Sequence, residues 1–110
     1  SFPMLAKKYK LPLGAELPKK PKTLRYPHYV VKIGSNTLPY SRYGVVISTK
    51  VNPHATIRNR IKRTVFELIR ANNLHMIPQK DVVIIVSPSV DNLGKEALKT
   101  MLLRDLINIV

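Results

Sequence analysis

The chain has 110 residues, 45% of them hydrophobic, and carries 19 Lys and Arg against 6 Asp and Glu, a net charge of +13. That size and composition suit one domain with a modest core and argue against disorder throughout, while the charge calls for a polyanionic partner, nucleic acid before membrane. There is no cysteine, hence no disulfide or thiolate metal site; no apolar run reaches the roughly 18 residues that span a bilayer, so the expectation is a cytoplasmic protein without membrane contact.

In chain order, residues 1–27 read as a basic, proline-rich arm. Ser1, Phe2 and Pro3 read as an appended scar ahead of a native start at Met4, and SFPMLAKKYK lacks the apolar stretch of a secretory signal. Pro12, Pro18, Pro21 and Pro27 interrupt any helix among Lys7, Lys8, Lys10, Lys19, Lys20, Lys22 and Arg25. The folded domain is expected over 28–110. HYVVKI (28–33) and RYGVVIST (42–49) are strands by their β-branched and aromatic content. The run Val45, Val46, Ile47 suggests burial on both faces there, and 37–40 leaves a short extra strand open.

VNPH (51–54) breaks the second strand, and a helix begins near His54 or Ala55. Ile57, Ile61, Val65, Leu68 and Ile69 follow helical spacing and define its core face. Asn59, Arg63, Phe66 and Arg70 fall on the opposite side, Arg60 and Glu67 on one flank, and Lys62 between Asn59 and the core boundary. Asn72 and Asn73 close the helix. DVVIIVS (81–87) is a buried strand, and Asp91 or Asn92 caps a last helix of about 93–108 with Leu98, Met101, Leu102 and Leu106 inward.

The charge lies on one part of the chain. Residues 1–70 hold fifteen cations and two acids, Glu16 and Glu67; residues 71–110 hold four of each. The stretch IRNRIKRTVFELIR (57–70) concentrates Arg58, Arg60, Lys62, Arg63 and Arg70 around a single acid. A solvated helix face has no need of such crowding, which costs a few tenths of a kcal/mol per close pair. Phosphates would relieve it, and Arg adds a planar fork for phosphate and a flat face for a base. Phe66 sits among these cations, where an exposed ring can stack an unpaired base; packing under the last helix or the arm is the commoner fate of a lone Phe. The six acids are scattered, and His28, His54 and His75 show no ligand spacing. The chain therefore offers neither a metal site nor the carboxylate set of a two-metal nuclease.

The segment VVISTKVNPHATIRNRIKR resembles the protein subunit of bacterial ribonuclease P. That family carries an Arg-Asn-Arg motif on a helix after a strand and a Lys-containing loop, here Lys50 and Arg58-Asn59-Arg60. The resemblance covers about 28–110. It implies a small single-domain α+β fold, a four-stranded mixed sheet packed with helices and a left-handed βαβ crossover, like a domain of ribosomal protein S5. It further implies a non-catalytic subunit, a monomer in its complex, of a ribonucleoprotein that matures the 5′ end of tRNA. The partners are ribonuclease P RNA and precursor tRNA, and the Mg²⁺ is bound mainly by the RNA and substrate. Carried over by position, Arg58, Asn59, Arg60, Lys62 and Arg63 would face the RNA, joined by Arg70, with Lys50 at the rim nearest the 5′ leader. Tyr29, Val31 and Tyr43, with Phe66, would line the leader cleft, on a sheet face that the sequence does not specify. Two features depart from the family: LPLGAELPKKPKTLRYP is too proline-rich for the helix that usually precedes the first strand, and Phe66 stands where a basic residue is common. The competing reading is a ribosomal-type or general RNA-binding protein without a role in cleavage. A DNA-binding helix and a protein-only nuclease fit less well.

Overall fold

The first long strand buries every second residue, Tyr29, Val31 and Ile33, as expected of a strand with one face on a core. In the computed structural model, which describes residues 4–12 and 20–110, this strand is β2 (Tyr29–Ser35) of a four-stranded sheet. The others are β1 (Lys22–Arg25), β3 (Arg42–Val46) and β4 (Lys80–Val86), in the order β1-β2-β4-β3. β1 with β2 and β2 with β4 run antiparallel, whereas β3 and β4 run parallel. A parallel pair cannot be joined by a tight turn; helix α1 (Ala55–Ala71) makes the crossover, and helix α2 (Lys95–Ile107) follows β4. This is the expected small α+β fold with a mixed sheet.

The register stacks one apolar face. Val82, Ile84 and Val86 of β4 stand opposite Ile33, Val31 and Tyr29 of β2, and opposite Tyr43 and Val45 of β3 where the strands overlap. Val65, Leu68 and Ile69 of α1 and Leu98, Leu102 and Leu106 of α2 belong to the same buried cluster. Two tyrosines fasten the layers. Tyr29 donates its hydroxyl to Asp105 of α2, and Tyr43 donates to the Leu74 carbonyl at 2.8 Å. Burial pushes both phenols well above their ordinary pKa, and the Asp105 carboxylate pushes Tyr29 further.

Several expectations are corrected. Part of the stretch read as a free arm is in the fold: Lys22–Arg25 pair with β2 as β1. Lys10 bridges to Tyr43 at the outer edge of β3, with the Leu11 amide donating to the Tyr43 carbonyl at 2.9 Å. Leu5 and Leu11 are buried. Gly44 permits this docking, since a Cβ there would stand 3.2 Å from the Leu11 Cβ. The proposed loss of the family's first helix falls partly on residues 13–19, outside the described residues. Residues 37–40 form bends and no strand. Val46 is 39% exposed beside a buried Val45, so β3 is not buried on both faces at that point. Helix α2 is capped by Gly94, while Asp91 and Asn92 lie in a preceding 3₁₀ turn.

Candidate nucleic-acid interface

Helix α1 starts where the chain leaves an extended conformation at His54, whose carbonyl accepts from the amides of Ile57 and Arg58, both at 3.1 Å. The preceding loop is tied down by Asn52. Its Oδ1 accepts from the His54 amide at 2.9 Å, and its Nδ2 donates to the Asp91 carboxylate at 3.1 and 3.2 Å. Arg58 Nη1 donates back to the Asn52 carbonyl at 2.9 Å. No acid lies in the first turn, so the positive pole of the helix adds to the field of Arg58 and Arg60.

Asn59, Arg60 and Arg63 are exposed, and Arg58, Lys62 and Arg70 are half-buried. Lys50 is exposed in the turn before the helix, where the Val51 amide donates to the Ser48 carbonyl at 3.0 Å. Thr64, which periodicity did not place in the core, is buried and donates its hydroxyl to the Arg60 carbonyl at 3.0 Å. The ion pairs among the described residues are Arg42–Asp81 and Arg104–Asp105. Among those residues the cations of α1 therefore have no carboxylate partner. Arg60 and Arg63 are the exposed cations of this ridge, and a planar Arg fork there can meet phosphate oxygens.

The leader-cleft assignment changes. Tyr29, Val31 and Tyr43 are 1%, 0% and 0% exposed; the alternation that unites them sets them on the core face, under α1 and α2. The opposite face, by the same register, carries Thr23, Arg25, Val30, Lys32, Val46, Val83 and Ile85. Phe66 lies on neither sheet face. It is half-buried against the core, and the Lys10 ammonium sits 4.8 Å from its ring centroid. Sequence reasoning missed Arg25 and Lys32 as neighbours on one face, because the pairing of Arg25 with Val30 and Thr23 with Lys32 requires β1 to be recognised as a strand. It also left Lys10 among the unspecific charges of the arm. No signal short of the docked backbone at Tyr43 singles that lysine out.

The family model Ribonuclease P matches residues 15–109, the Arg58-Asn59-Arg60 motif included. The chain belongs to the ribonuclease P family. A ribonuclease P protein component from Vibrio campbellii is 38% identical over 72 residues, 66% of this chain. The chain spans 60% of that relative's length. The RNase P protein from Thermotoga maritima superposes with a TM-score of 0.74 at 30% identity, over 84% of this chain and 86% of that one. An RNase P protein from Staphylococcus aureus shares the fold, with a TM-score of 0.81 at 23% identity over 94% and 88% of the two chains. The ribonuclease P match begins ahead of β1, so the strand that the residue pattern failed to mark lies within the family region.

Among the described residues no three His, Cys, Asp or Glu side chains gather. The two buried carboxylates are committed within the fold, Asp81 to Arg42 and Asn36, Asp105 to Tyr29 and Arg104. These residues do not fit a Mg²⁺ site of the chain's own. No helix among the described residues is long and apolar enough to cross a membrane.

Proposed function

We propose that this chain is the protein subunit of a ribonuclease P ribonucleoprotein, acting in the cytoplasm as one copy per complex in the 5′ maturation of tRNA. The observation that carries the reading is the α1 ridge: a family motif helix whose cations have no acidic partner among the described residues. Arg58, Asn59, Arg60, Lys62 and Arg63, with Arg70 and Lys50, bind the catalytic RNA. The protein supplies position and counter-charge, and the RNA with its bound Mg²⁺ supplies hydrolysis. Here Mg²⁺ is held mainly by RNA and substrate, and the cations of this chain supply part of the counter-charge that free Mg²⁺ would otherwise have to provide.

The 5′ leader of precursor tRNA lies across the sheet face away from the helices. Arg25 and Lys32 give that face charge, Val30, Val46 and Ile85 give it apolar surface, and its acid, Asp81, is already neutralised by Arg42. Single-stranded RNA is held by this combination of backbone charge and flat apolar contact. The test is cleavage of precursor tRNA by a cognate ribonuclease P RNA, with and without the chain, across a Mg²⁺ series. Stimulation greatest at low Mg²⁺ is expected. RNA binding with unchanged cleavage at every Mg²⁺ level would replace this reading with a general RNA-binding role.

A further inference from the structure

A cleft of about 600 Å³ opens between the N-terminal segment and the outer side of α1, reaching Lys95 at the start of α2. Its volume is that of a small-ligand site. Five of the residues lining it are cationic and one, Glu67, is acidic. Leu5 and Phe66 contribute an apolar wall, and Lys10 holds its ammonium over the Phe66 ring. Arg70 Nε is buried at this wall with no hydrogen-bond partner among the described residues. A buried guanidinium donor without an acceptor is costly to keep. The Nε is closed to water in the free chain, so a phosphate oxygen in the cleft meets it only when the Arg70 side chain turns toward the opening.

An aromatic face beside cations and an unsatisfied guanidinium donor matches a flat base joined to a phosphate. We propose that this cleft seats one unpaired nucleotide of the partner RNA, the base on Phe66 and the phosphate on Lys10, Arg63 and Arg70. The inference rests on the RNA-binding reading above and adds to it a base-stacking subsite at the border of the ridge, which shares Arg63 and Arg70 with it. Lys10 occupies the ring face in the free chain. Its stem is flexible, so an arriving base displaces the ammonium, which follows the phosphate. Phe66 thus supplies the stacking surface, and Lys10 brings the charge from another part of the chain.

The chain has no tryptophan, so F66W makes the seat report on itself. Titrating the full chain with a short oligoadenylate should quench the tryptophan emission. A base-free ribose-phosphate chain of equal length and inorganic tripolyphosphate should bind without quenching. Adenosine monophosphate should need roughly tenfold higher concentration, because a strand engages further cations at the same time. If the labelled oligoadenylate binds by anisotropy while emission is unchanged, RNA binds elsewhere: the seat is overturned and the RNA-binding reading stands. Equal quenching by tripolyphosphate reduces the cleft to a phosphate site, and tighter binding of the monophosphate reassigns it to a free nucleotide; either overturns the proposal, as does absence of any binding. Should F66W lose its thermal transition, F66L with native-like volume replaces it. The oligoadenylate Kd should then rise about fivefold or more, the lower end of base stacking, with the base-free chain unaffected; equal Kd values for both proteins overturn the seat.

Discussion

Arg42 of β3 grips Asp81 of β4 with two prongs, Nε at 3.0 Å to one carboxylate oxygen and Nη2 at 2.7 Å to the other. The partners are unequally placed: the Asp81 side chain is 8% exposed and that of Arg42 33%. The Asp81 hydrogen bond is the main cause that raises the Arg42 pKa. Removing either partner therefore has different consequences. R42A leaves a buried carboxylate with Asn36 as its remaining donor, and should cost about 3 kcal/mol, the low end for a broken buried pair. D81A leaves an arginine that can turn into water, and an Asn36 amide still bonded to the Lys80 carbonyl at 2.9 Å, so about 1 kcal/mol is expected. Urea unfolding of the two variants should rank them in that order.

Arg60 and Arg63 are exposed and have no acid partner among the described residues. R60A and R63A should each leave stability within about 0.5 kcal/mol of the parent, as surface changes generally do. Each should lower affinity for ribonuclease P RNA and reduce the magnitude of the slope of log K against log salt by about 1 for every phosphate that is no longer neutralised. An unchanged slope would mean that these side chains do not meet phosphate.

Arg58 combines two tasks. Its bond to the Asn52 carbonyl holds the loop to the helix, so R58A should lower RNA affinity and also cost about 1 kcal/mol of stability. The double variant R58A/R60A should keep a cooperative thermal transition at reduced Tm. Circular dichroism melting alongside RNA titration separates the two effects.

R25A/K32A tests the outer sheet face. The complex should lose its preference for precursor over mature tRNA, by about fivefold or more if two phosphates go without a cation, while affinity for the catalytic RNA changes little. The ratio of the two tRNA affinities is the readout, and a preserved ratio would remove the leader from this face.

Tyr29 and Tyr43 titrate well above the ordinary phenol range in the folded chain, chiefly because they are buried. In the unfolded chain they ionise near pH 10. Stability from these groups is therefore fully present below about pH 10 and falls as pH rises beyond it, where the unfolded state releases protons that the folded state retains. Of the five tyrosines, at least these two should resist ionisation in an ultraviolet pH titration until the chain unfolds. Y29F and Y43F should each flatten the alkaline loss of stability.

The elements with strong hydrophobic periodicity were legible: β2, β3, β4, α1 and α2 all lie within a few residues of where the pattern put them. β1 was not, because KTLR is four residues long, largely exposed and flanked by prolines, so its strand character comes from pairing with β2 and hardly from its own composition. The basic ridge was legible because charge crowding needs no tertiary information. The alternation over residues 28–33 separates the apolar Tyr29, Val31 and Ile33 from His28, Val30 and Lys32, and the apolar set is the one that packs under the helices. Tyr29, Val31 and Tyr43 were assigned to a cleft because the resemblance implied a cleft on the sheet without naming its face, and they belong to the core. Phe66 was expected to pack, and it does; the lysine held against it comes from 56 positions upstream in sequence, a distance no local pattern bridges.

The central position of β4 sets the timetable of folding. This strand is inserted between β2 and β3, yet it is synthesised after both and after α1. Until residues 80–86 leave the ribosome, the inner borders of the two earlier strands have nothing of their own to bind and stand open to stray pairing. Over that interval the emerging chain carries nearly all of its surplus positive charge, and mutual repulsion between such nascent chains keeps those borders apart.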